Sequence, residues 1–456
     1  MHYDGNLVDR RTYDPVGRMV TSTYGNGVVT DHSYNDDNTL ALIAHSGSGA
    51  SIGNYAYTWD NNKNKTSESI TGTMSNYGFN NTGYDDEDRL VSWNRTDGAL
   101  NKSWDLSLVG DWDSVTENGT QQSRTRGPTH ELLTAANEVV TTDVKGNMTS
   151  ILALLRPGSD PLALTWDQDN RMSSADVDAD GTADVSYQFD ALGRRVARTA
   201  DGATTVYVQA GQQTVADYVS GTAPTSPTYT YVYASYIDEP VVRAGSDDPR
   251  YYHRTQQYSI TALTDSSGNV TERYAYTAYG TPTITDGAGA TLTTSADNNR
   301  YTYTGREWDE SLSLYHYRAR MYDAISGRFL GRDPIGYLAI SLGLHEYVLS
   351  NPTFYLDPLG LERKLPAPDK VPKLDPRKPP VLPPVGPGAP LPAPIPGNDP
   401  FKPQGKSGKR TIGYLVIVCN CPEPDSYYIP VVSGGDNAYP GFPPYDKDDK
   451  RSQHTE

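Results

Sequence analysis

The sequence predicts an all-β protein made of many short antiparallel hairpins. In a chain of 456 residues, Tyr outnumbers Phe by 34 to 6, Gly occurs 41 times and Pro 33 times, and only 36% of the residues are apolar. Tyrosine favours strands, whereas frequent glycine and proline favour turns. This composition argues against a helical protein and predicts a chain that reverses its direction often.

A short phrase recurs between Tyr13 and Val196 and indicates how the hairpins are built. It consists of an aromatic residue, an Asp, a Gly or Asn, and then usually a basic and an apolar residue. Copies stand at residues 13–18, 57–63, 84–90, 166–172 and 189–196. The aromatic ring packs across the strands, the Asp caps the turn, and the Gly or Asn accepts a positive φ. Repetition of this unit predicts an array of hairpins.

The most specific motif lies further along, at residues 318–361. It reads Arg-Ala-Arg-Met-Tyr-Asp at 318–323, Gly-Arg-Phe-Leu-Gly-Arg-Asp-Pro-Ile-Gly at 327–336, and Asp-Pro-Leu-Gly-Leu at 357–361. With the preceding phrases, it resembles the Rhs repeat-associated core that ends the tyrosine-aspartate (YD) repeat shells of bacterial Rhs proteins, of insecticidal toxin-complex C proteins and, more distantly, of teneurins. The resemblance covers about residues 10–361. It implies a β-hairpin strip that curls into a partial or closed shell.

Four regions follow from the motif and from a change in composition. Residues 1–296 are predicted to form the YD-repeat shell, and residues 297–361 the Rhs core. Residues 362–410 are a Pro-rich linker, since 15 prolines stand between positions 366 and 403 and favour an extended chain. Residues 411–456 form a short C-terminal segment, in which the apolar stretch 411–418 predicts one strand.

Two aspartates of the core are candidates for acid-base chemistry. Asp333 and Asp357 each precede a proline and lie 24 residues apart. If they meet at one site, they can share a proton, because two neighbouring carboxylates do not both ionise readily; one then activates water while the other protonates the scissile amide. The structural alternative is that each Asp-Pro only opens a turn.

The resemblance assigns roles to these residues. In the toxin-complex relatives the core is a self-cleaving aspartyl protease, and its two catalytic aspartates match Asp333 and Asp357. A supporting arginine matches Arg320. The same comparison places the cut between Leu361 and Glu362 and leaves the released segment enclosed by the shell.

This chain departs from the family pattern at two places in the core. His345 stands where an Asn is usual, and Ser350 replaces the first residue of the usual Asn-Asn-Pro. Both departures could alter how the aspartate pair is held.

A second acidic stretch has the spacing of a calcium loop. Residues 176–184 alternate Asp with small residues, and Gly181 occupies the sixth position, where a sharp turn is needed. The candidate ligands are Asp176, Asp178, Asp180 and Asp184. The twelfth position is Tyr187 and not the usual Glu, so an acidic turn between two strands is the alternative interpretation.

Charge and hydropathy exclude several functions. The net charge of −17 and the isoelectric point near 4.9 argue against binding to nucleic acid or to an anionic membrane surface. Residues 1–20 lack the apolar segment of a secretory signal peptide, and no stretch predicts membrane insertion. The C-terminal segment contains no phosphate loop, cofactor motif or nucleophile-base pattern. We therefore expect no cofactor, and at most a peptidase that acts on its own chain.

Two classes of function fit the sequence. The first is a shell that encloses and presents its own C-terminal segment, in intercellular competition or toxin delivery. It implies a secreted or cell-surface protein whose partners are that segment and an upstream shell-completing chain or secretion machinery. The second is a non-enzymatic surface or adhesion scaffold, or a truncated Rhs remnant, in which the core is only a structural cap.

Overall fold

The computed structural model describes residues 1–3, 5–47, 50–156, 160–220, 225–246, 248–339, 343–361, 363–364, 413–416 and 428–431. The chain divides into two units, residues 1–374 and 375–456. Glu362 and most of the predicted linker and C-terminal segment lie outside the described residues. None of the described helices is long and apolar enough to cross a membrane.

The N-terminal part forms a short hairpin and then a long antiparallel sheet. The hairpin pairs β1 (His2–Tyr3) with β2 (Asn6–Leu7). Thirteen strands follow, and their order in the sheet is their order in the sequence. They are β3 (Asp9–Tyr13), β4 (Met19–Tyr24), β5 (Val29–Tyr34), β6 (Leu40–Gly47), β7 (Ala50–Trp59), β8 (Lys65–Ile70), β9 (Phe79–Tyr84), β10 (Leu90–Arg95), β11 (Asn101–Leu106), β12 (Trp112–Glu117), β13 (Thr120–Arg126), β14 (Leu132–Ala135) and β15 (Glu138–Val139).

A second long antiparallel sheet begins after β15 and contains fourteen strands, again in sequence order. They are β16 (Ser150–Ile151), β17 (Leu162–Trp166), β18 (Met172–Asp176), β19 (Val185–Phe189), β20 (Arg195–Ala200), β21 (Ala203–Ala210), β22 (Gln213–Val219), β23 (Tyr229–Tyr233), β24 (Pro240–Gly245), β25 (Arg250–Arg254), β26 (Ile260–Thr264), β27 (Val270–Tyr276), β28 (Pro282–Asp286) and β29 (Thr291–Leu292). The predicted all-β fold and its antiparallel hairpin strip are confirmed.

The remaining elements are short. A four-stranded antiparallel sheet contains β30 (Glu307–Asp309), β31 (Leu314–Tyr317), β32 (Arg320–Asp323) and β33 (Arg328–Phe329). In the second unit, β34 (Gly413–Val416) pairs with β35 (Tyr428–Val431), and β34 lies within the stretch predicted as a strand. The helical segments among the described residues are 3₁₀ turns at Ser75–Tyr77, Ala153–Leu155, Tyr303–Gly305, Gly336–Ala339 and Val348–Ser350.

The aspartate of each repeated phrase builds a hairpin turn, as predicted. Asp14 N–H donates to the Arg18 carbonyl at 2.9 Å, and Asp14 Oδ1 accepts the Arg18 N–H at 2.8 Å. Gly17 between them has a φ of 85°, a conformation that glycine adopts without strain. The same pair of hydrogen bonds, to the residue four positions on, closes the turns that begin at Asp60, Asp85, Asp143, Asp167, Asp190, Asp265 and Asp286.

The stretch from Asn101 to Thr142 has few copies of the phrase but continues the same sheet. Its turn at Ser107–Asp111 repeats the backbone geometry, with the Ser107 N–H donating to the Asp111 carbonyl at 2.8 Å. The Ser107 hydroxyl takes the place of the Asp carboxylate and accepts the Val109 N–H at 3.3 Å. Serine can cap such a turn, so the geometry persists where the sequence signal fades.

Both faces of the four-stranded sheet are buried. One face packs against aromatic residues of the first long sheet; it carries Tyr315, Tyr317, Tyr322 and Phe329. The other face packs against aliphatic residues from β14 to β20; it carries Leu314 and Met321, and Leu330 follows at its end. The four-stranded sheet therefore lies between apolar side chains of both long sheets.

Removal of a ring from this sheet should destabilise the whole first unit. Phe329 is 0% exposed and packs edge-on against Tyr317, Tyr322 and Tyr347. We expect Phe329→Ala to lower the free energy of unfolding by about 3–5 kcal/mol, because it leaves a cavity among rings that cannot collapse fully. Urea unfolding followed by tryptophan fluorescence measures the change. Leu192→Ala is the control, since Leu192 is 77% exposed, and should change stability by less than about 0.5 kcal/mol.

Candidate active site

The structure brings the three predicted residues Arg320, Asp333 and Asp357 together. One guanidinium nitrogen, Arg320 Nη2, lies 2.9 Å from Asp333 Oδ2 and 3.4 Å from Asp357 Oδ2. All three residues are buried, with 6%, 9% and 3% of their surfaces exposed. Two carboxylates from separate turns therefore share one cation in a site that is largely closed to solvent.

Arg320 is held at every polar position of its side chain. It begins β32, and its guanidinium carbon lies 3.6 Å from the centre of the Phe329 ring, at the distance of a cation-π contact. Its Nε donates to the Gly360 carbonyl at 2.5 Å, and its Nη1 donates to the Leu344 carbonyl at 3.2 Å. This fixed orientation leaves Nη2 for the two carboxylates.

Asp333 closes a turn and also contacts the arginine of the site. Its Oδ1 accepts the Ile335 N–H at 2.9 Å, as in an ordinary Asp-Pro turn, while its Oδ2 contacts Arg320. Its own N–H donates to the Leu344 carbonyl at 2.9 Å. The turn and the ion pair therefore position one carboxylate together, and the turn interpretation does not exclude the acid-base interpretation.

Asp357 is placed beside the predicted cleavage site. Its Oδ1 accepts the Leu361 N–H at 3.0 Å, and its Oδ2 contacts Arg320. Gly360 lies between them with a φ of 68°, and a Cβ at this position would stand 2.4 Å from the Tyr317 carbonyl oxygen. Only glycine fits this close approach, a requirement that the sequence motif did not explain.

The surroundings of the site shift the pKa values of Asp333 and Arg320. Burial raises the pKa of Asp333, although the Arg320 charge and the Ile335 N–H act in the opposite direction. Burial likewise lowers the pKa of Arg320, against the attraction of Asp357 and Asp333. Two carboxyl groups that share one guanidinium are an arrangement in which one can hold a proton while the other is ionised, as general acid-base catalysis requires.

The chain around Leu361 forms a small closed loop. Leu356 and Lys364 exchange two backbone hydrogen bonds of 2.8 and 2.5 Å, which close the segment 357–363 at its base. Arg363 lies over the Tyr355 ring at 4.9 Å. A cavity at this loop is lined by the Arg320, Asp333, Asp357 and Leu361 side chains, among others. Glu362, on the far side of the predicted scissile bond, lies outside the described residues.

The two departures from the family pattern have structural roles away from the carboxylates. His345 is buried and its Nδ1 lies 3.3 Å from the Phe329 carbonyl oxygen. Ser350 donates its hydroxyl hydrogen to the Gly110 carbonyl at 3.0 Å and so connects the core to the first long sheet. Neither residue contacts Asp333 or Asp357 through these hydrogen bonds.

The acidic loop at 176–184 is a turn whose carboxylates cap backbone N–H groups. Asp176, Asp178 and Asp184 offer oxygens that all lie within 4.8 Å of one another, and Asp180 is outside this group. Asp176 accepts the Gly181 N–H at 2.8 Å and Asp184 accepts the Val177 N–H at 2.6 Å. Tyr187 points into the core and donates its hydroxyl to Asp309. These bonds build an acidic turn, Asp176 Oδ1 is buried without a hydrogen-bond partner among the described residues, and the calcium site stays a sequence prediction.

Comparison with known proteins gives relatives in sequence but no matching family model. The chain is 28% identical over 234 residues to the tRNA nuclease WapA of Bacillus subtilis (strain 168), a match that covers 51% of this chain and 9% of WapA. It is 27% identical over 384 residues to the double-stranded DNA deaminase toxin A of Burkholderia cenocepacia (strain H111), covering 78% of this chain and 25% of that protein. The chain spans a quarter or less of the length of these relatives.

Solved structures share the fold. The crystal structure of TcdB2-TccC3-Cdc42 matches 79% of this chain with a TM-score of 0.62 and 18% identity, over 20% of that chain. The structure of TcdB2-TccC3 without its hypervariable C-terminal region matches 78% of this chain with a TM-score of 0.60 and 17% identity, over 19% of that chain. The fold of this chain is therefore shared with part of the matched chain in these TcdB2-TccC3 structures.

The raised pKa of Asp333 makes a prediction about stability and pH. Its usual value is 3.8, and burial raises it, so the folded chain holds this proton more tightly than the unfolded chain does. We expect the free energy of unfolding of the wild type, measured relative to Asp333→Asn in urea, to fall as the pH rises from about 3.8 through the folded pKa.

Asp97 provides a control of opposite sign. The hydrogen bond from Arg95 lowers the pKa of Asp97, so its stabilising contribution is present above the unfolded pKa and is lost as the pH falls. Relative to Asp97→Asn, the wild type should become less stable on acidification. If the wild type also became less stable on acidification relative to Asp333→Asn, the raised pKa of Asp333 would be contradicted.

Proposed function

We propose that the chain belongs to a β-shell protein that cuts itself between Leu361 and Glu362 and keeps the released segment enclosed. The observation that carries the proposal is the shared contact of Asp333 and Asp357 with Arg320, next to Leu361. The support that this contact gives is its place: the two carboxyl groups lie beside the bond after Leu361, where an acid and a base would act on it.

Asp357 and Asp333 have different roles in the proposed reaction. Asp357, held by Arg320, takes a proton from a water molecule that adds to the carbonyl carbon of Leu361. Asp333, the carboxyl whose pKa burial raises, gives its proton to the departing amide nitrogen of Glu362. The peptide bond then breaks into a carboxyl group on Leu361 and an amine on Glu362, and the proton on Asp357 restores the starting charge of the pair.

The biological role that we propose is delivery or display of the segment after Leu361. The two relatives in sequence described above are named as a nuclease and a deaminase toxin, and part of the TcdB2-TccC3 structures has the same fold. We infer that the long sheets form part of a shell, and that its partners are the chain's own C-terminal segment and an upstream continuation or secretion machinery. The secreted or cell-surface location belongs to the same proposal.

Mass spectrometry of the purified chain under denaturing conditions tests the cleavage. We expect two masses, corresponding to residues 1–361 and 362–456. Asp333→Asn and Asp357→Asn should each give one intact mass, since removal of either acid-base group abolishes the reaction. Asp14→Asn is the matched control, because Asp14 also precedes a proline and caps a turn, but its hydrogen bonds run to Val16 and Arg18 between β3 and β4. It should cleave like the wild type.

The position of the cut distinguishes self-cleavage after Leu361 from chemical breakage of the chain and from a scaffold that is not cut. Asp-Pro bonds break in hot acid, so a fragment that ends at Asp333 or Asp357 would be an artefact of handling, and only a fragment that ends at Leu361 supports the proposal. A single intact wild-type mass would instead favour the non-enzymatic scaffold, in which both aspartates serve only their turns.

Enclosure makes a separate prediction. If the shell holds the released segment, residues 362–456 should elute with residues 1–361 in gel filtration under native conditions and separate from them in urea. Separation of the two fragments in native buffer would show that the cut segment is not retained.

A further inference from the structure

Lys65 is a buried lysine in an aromatic surrounding. It begins β8 and is 2% exposed. Its Nζ lies 4.9 Å from the centre of the Tyr57 ring, and the rings of Phe79 and Trp59 stand at 5.8 and 5.9 Å. Such a position excludes water from an amine that is normally at the protein surface.

The amine contacts an amide that comes from the other long sheet. Lys65 Nζ donates to Gln257 Oε1 at 3.3 Å, although the two residues are 192 positions apart. Gln257 lies on the turn between β25 and β26, is 6% exposed, and donates its Nε2 to the Pro352 carbonyl at 2.9 Å. The amide is therefore fixed with its carbonyl towards Lys65, and its carbon lies one C=O bond of about 1.2 Å beyond Oε1.

A carboxyl group completes the cluster. Glu68 Oε2 lies 3.8 Å from Lys65 Nζ, three residues further along the same strand, and its side chain is 14% exposed. Lys65, Glu68 and Gln257 line one cavity. An amine, an amide and a carboxyl group thus meet in a small space enclosed by aromatic rings.

The protonation states in this space suit a reaction between the amine and the amide. Burial lowers the pKa of Lys65 to about 8, although Glu68 acts against the shift. Burial also raises the pKa of Glu68, with Lys65 acting against it. At neutral pH a fraction of about one tenth of Lys65 is then the neutral, nucleophilic amine.

We propose that Lys65 and Gln257 form an intramolecular isopeptide bond, with Glu68 as the proton-transfer group. The geometry that carries this proposal is the contact of the buried Lys65 Nζ with a fixed, buried side-chain carbonyl and with a carboxyl group.

The reaction balances without any other reactant. The Lys65 amine nitrogen attacks the Gln257 side-chain carbon, and a C–N bond forms. Glu68 takes a proton from that nitrogen and gives a proton to the amide nitrogen of Gln257, whose bond to the carbon breaks. Ammonia leaves, and a secondary amide joins the two side chains. Glu68 ends in the state in which it began.

The bond would link the two long sheets covalently. Lys65 belongs to the first of them, and Gln257 to the second. Gln257 also donates a hydrogen bond to the Pro352 carbonyl, which lies in the predicted core at residues 297–361. A crosslink at this junction would constrain the unfolded chain across a loop of almost two hundred residues, which stabilises the folded state in the way a disulfide does. The proposal is independent of the cleavage after Leu361, because both residues lie on the same side of that bond.

Mass spectrometry of the purified full chain tests the proposal. We expect the wild type, or its fragment 1–361, to be lighter than its sequence by about 17 Da, the mass of the ammonia lost. A protease digest should contain one branched peptide that joins Lys65 to Gln257. Mapping is essential, since cyclisation at Asn26-Gly27 or Asn118-Gly119 also releases ammonia without joining two peptides.

Three variants separate the reaction from other losses of mass. Lys65→Arg and Glu68→Gln should have the masses of their sequences, because one lacks the nucleophile and the other the proton-transfer group. Lys63→Arg, at an exposed lysine two residues away, should keep the loss of about 17 Da. A wild-type mass equal to its sequence, or a loss that maps to residues other than Lys65 and Gln257, would overturn the proposal.

Discussion

The burial of both faces of one small sheet is the constraint on which the first unit depends. One face of the sheet β30–β33 carries tyrosine and phenylalanine rings, and the other carries Leu314 and Met321, which pack against aliphatic residues of both long sheets. Because both faces are buried, the charged groups on its strands must be compensated inside the protein. Arg320 is such a group: it stands on the aromatic face, over Phe329, and it can remain there only with anionic and carbonyl partners.

The need to compensate the buried charge of Arg320 also explains which groups make up the candidate site. A single guanidinium satisfies two carboxylates and two backbone carbonyls, those of Leu344 and Gly360. The Gly360 contact fixes the loop that contains Leu361, and the carboxylate contacts fix the proposed acid-base pair. The same charge therefore positions the reacting groups and the chain they would act on. A fixed arrangement of this kind reduces the rearrangement required in a reaction.

Local chemistry could be predicted from the sequence, whereas long-range contacts could not. Asp14 and Asp167 cap turns through their own backbone neighbours, so five residues suffice to predict them. Ser107 builds the same turn without the Asp, and the division of the strip between β15 and β16 has no local signal. The meeting of Asp333 with Asp357 was expected only from family resemblance. The approach of Lys65 to Gln257, across 192 positions, was not expected at all.

The central claim is that Arg320 holds Asp333 and Asp357 as a working pair beside Leu361, and the mass of the Arg320→Gln variant tests it most directly. Glutamine keeps a hydrogen-bond donor of shorter reach but removes the charge that the two carboxylates share. In the soluble, folded fraction, the account predicts that the wild type is cut after Leu361 and that Arg320→Gln remains intact over the same time. Cleavage of Arg320→Gln at the wild-type position and to the wild-type extent would contradict it.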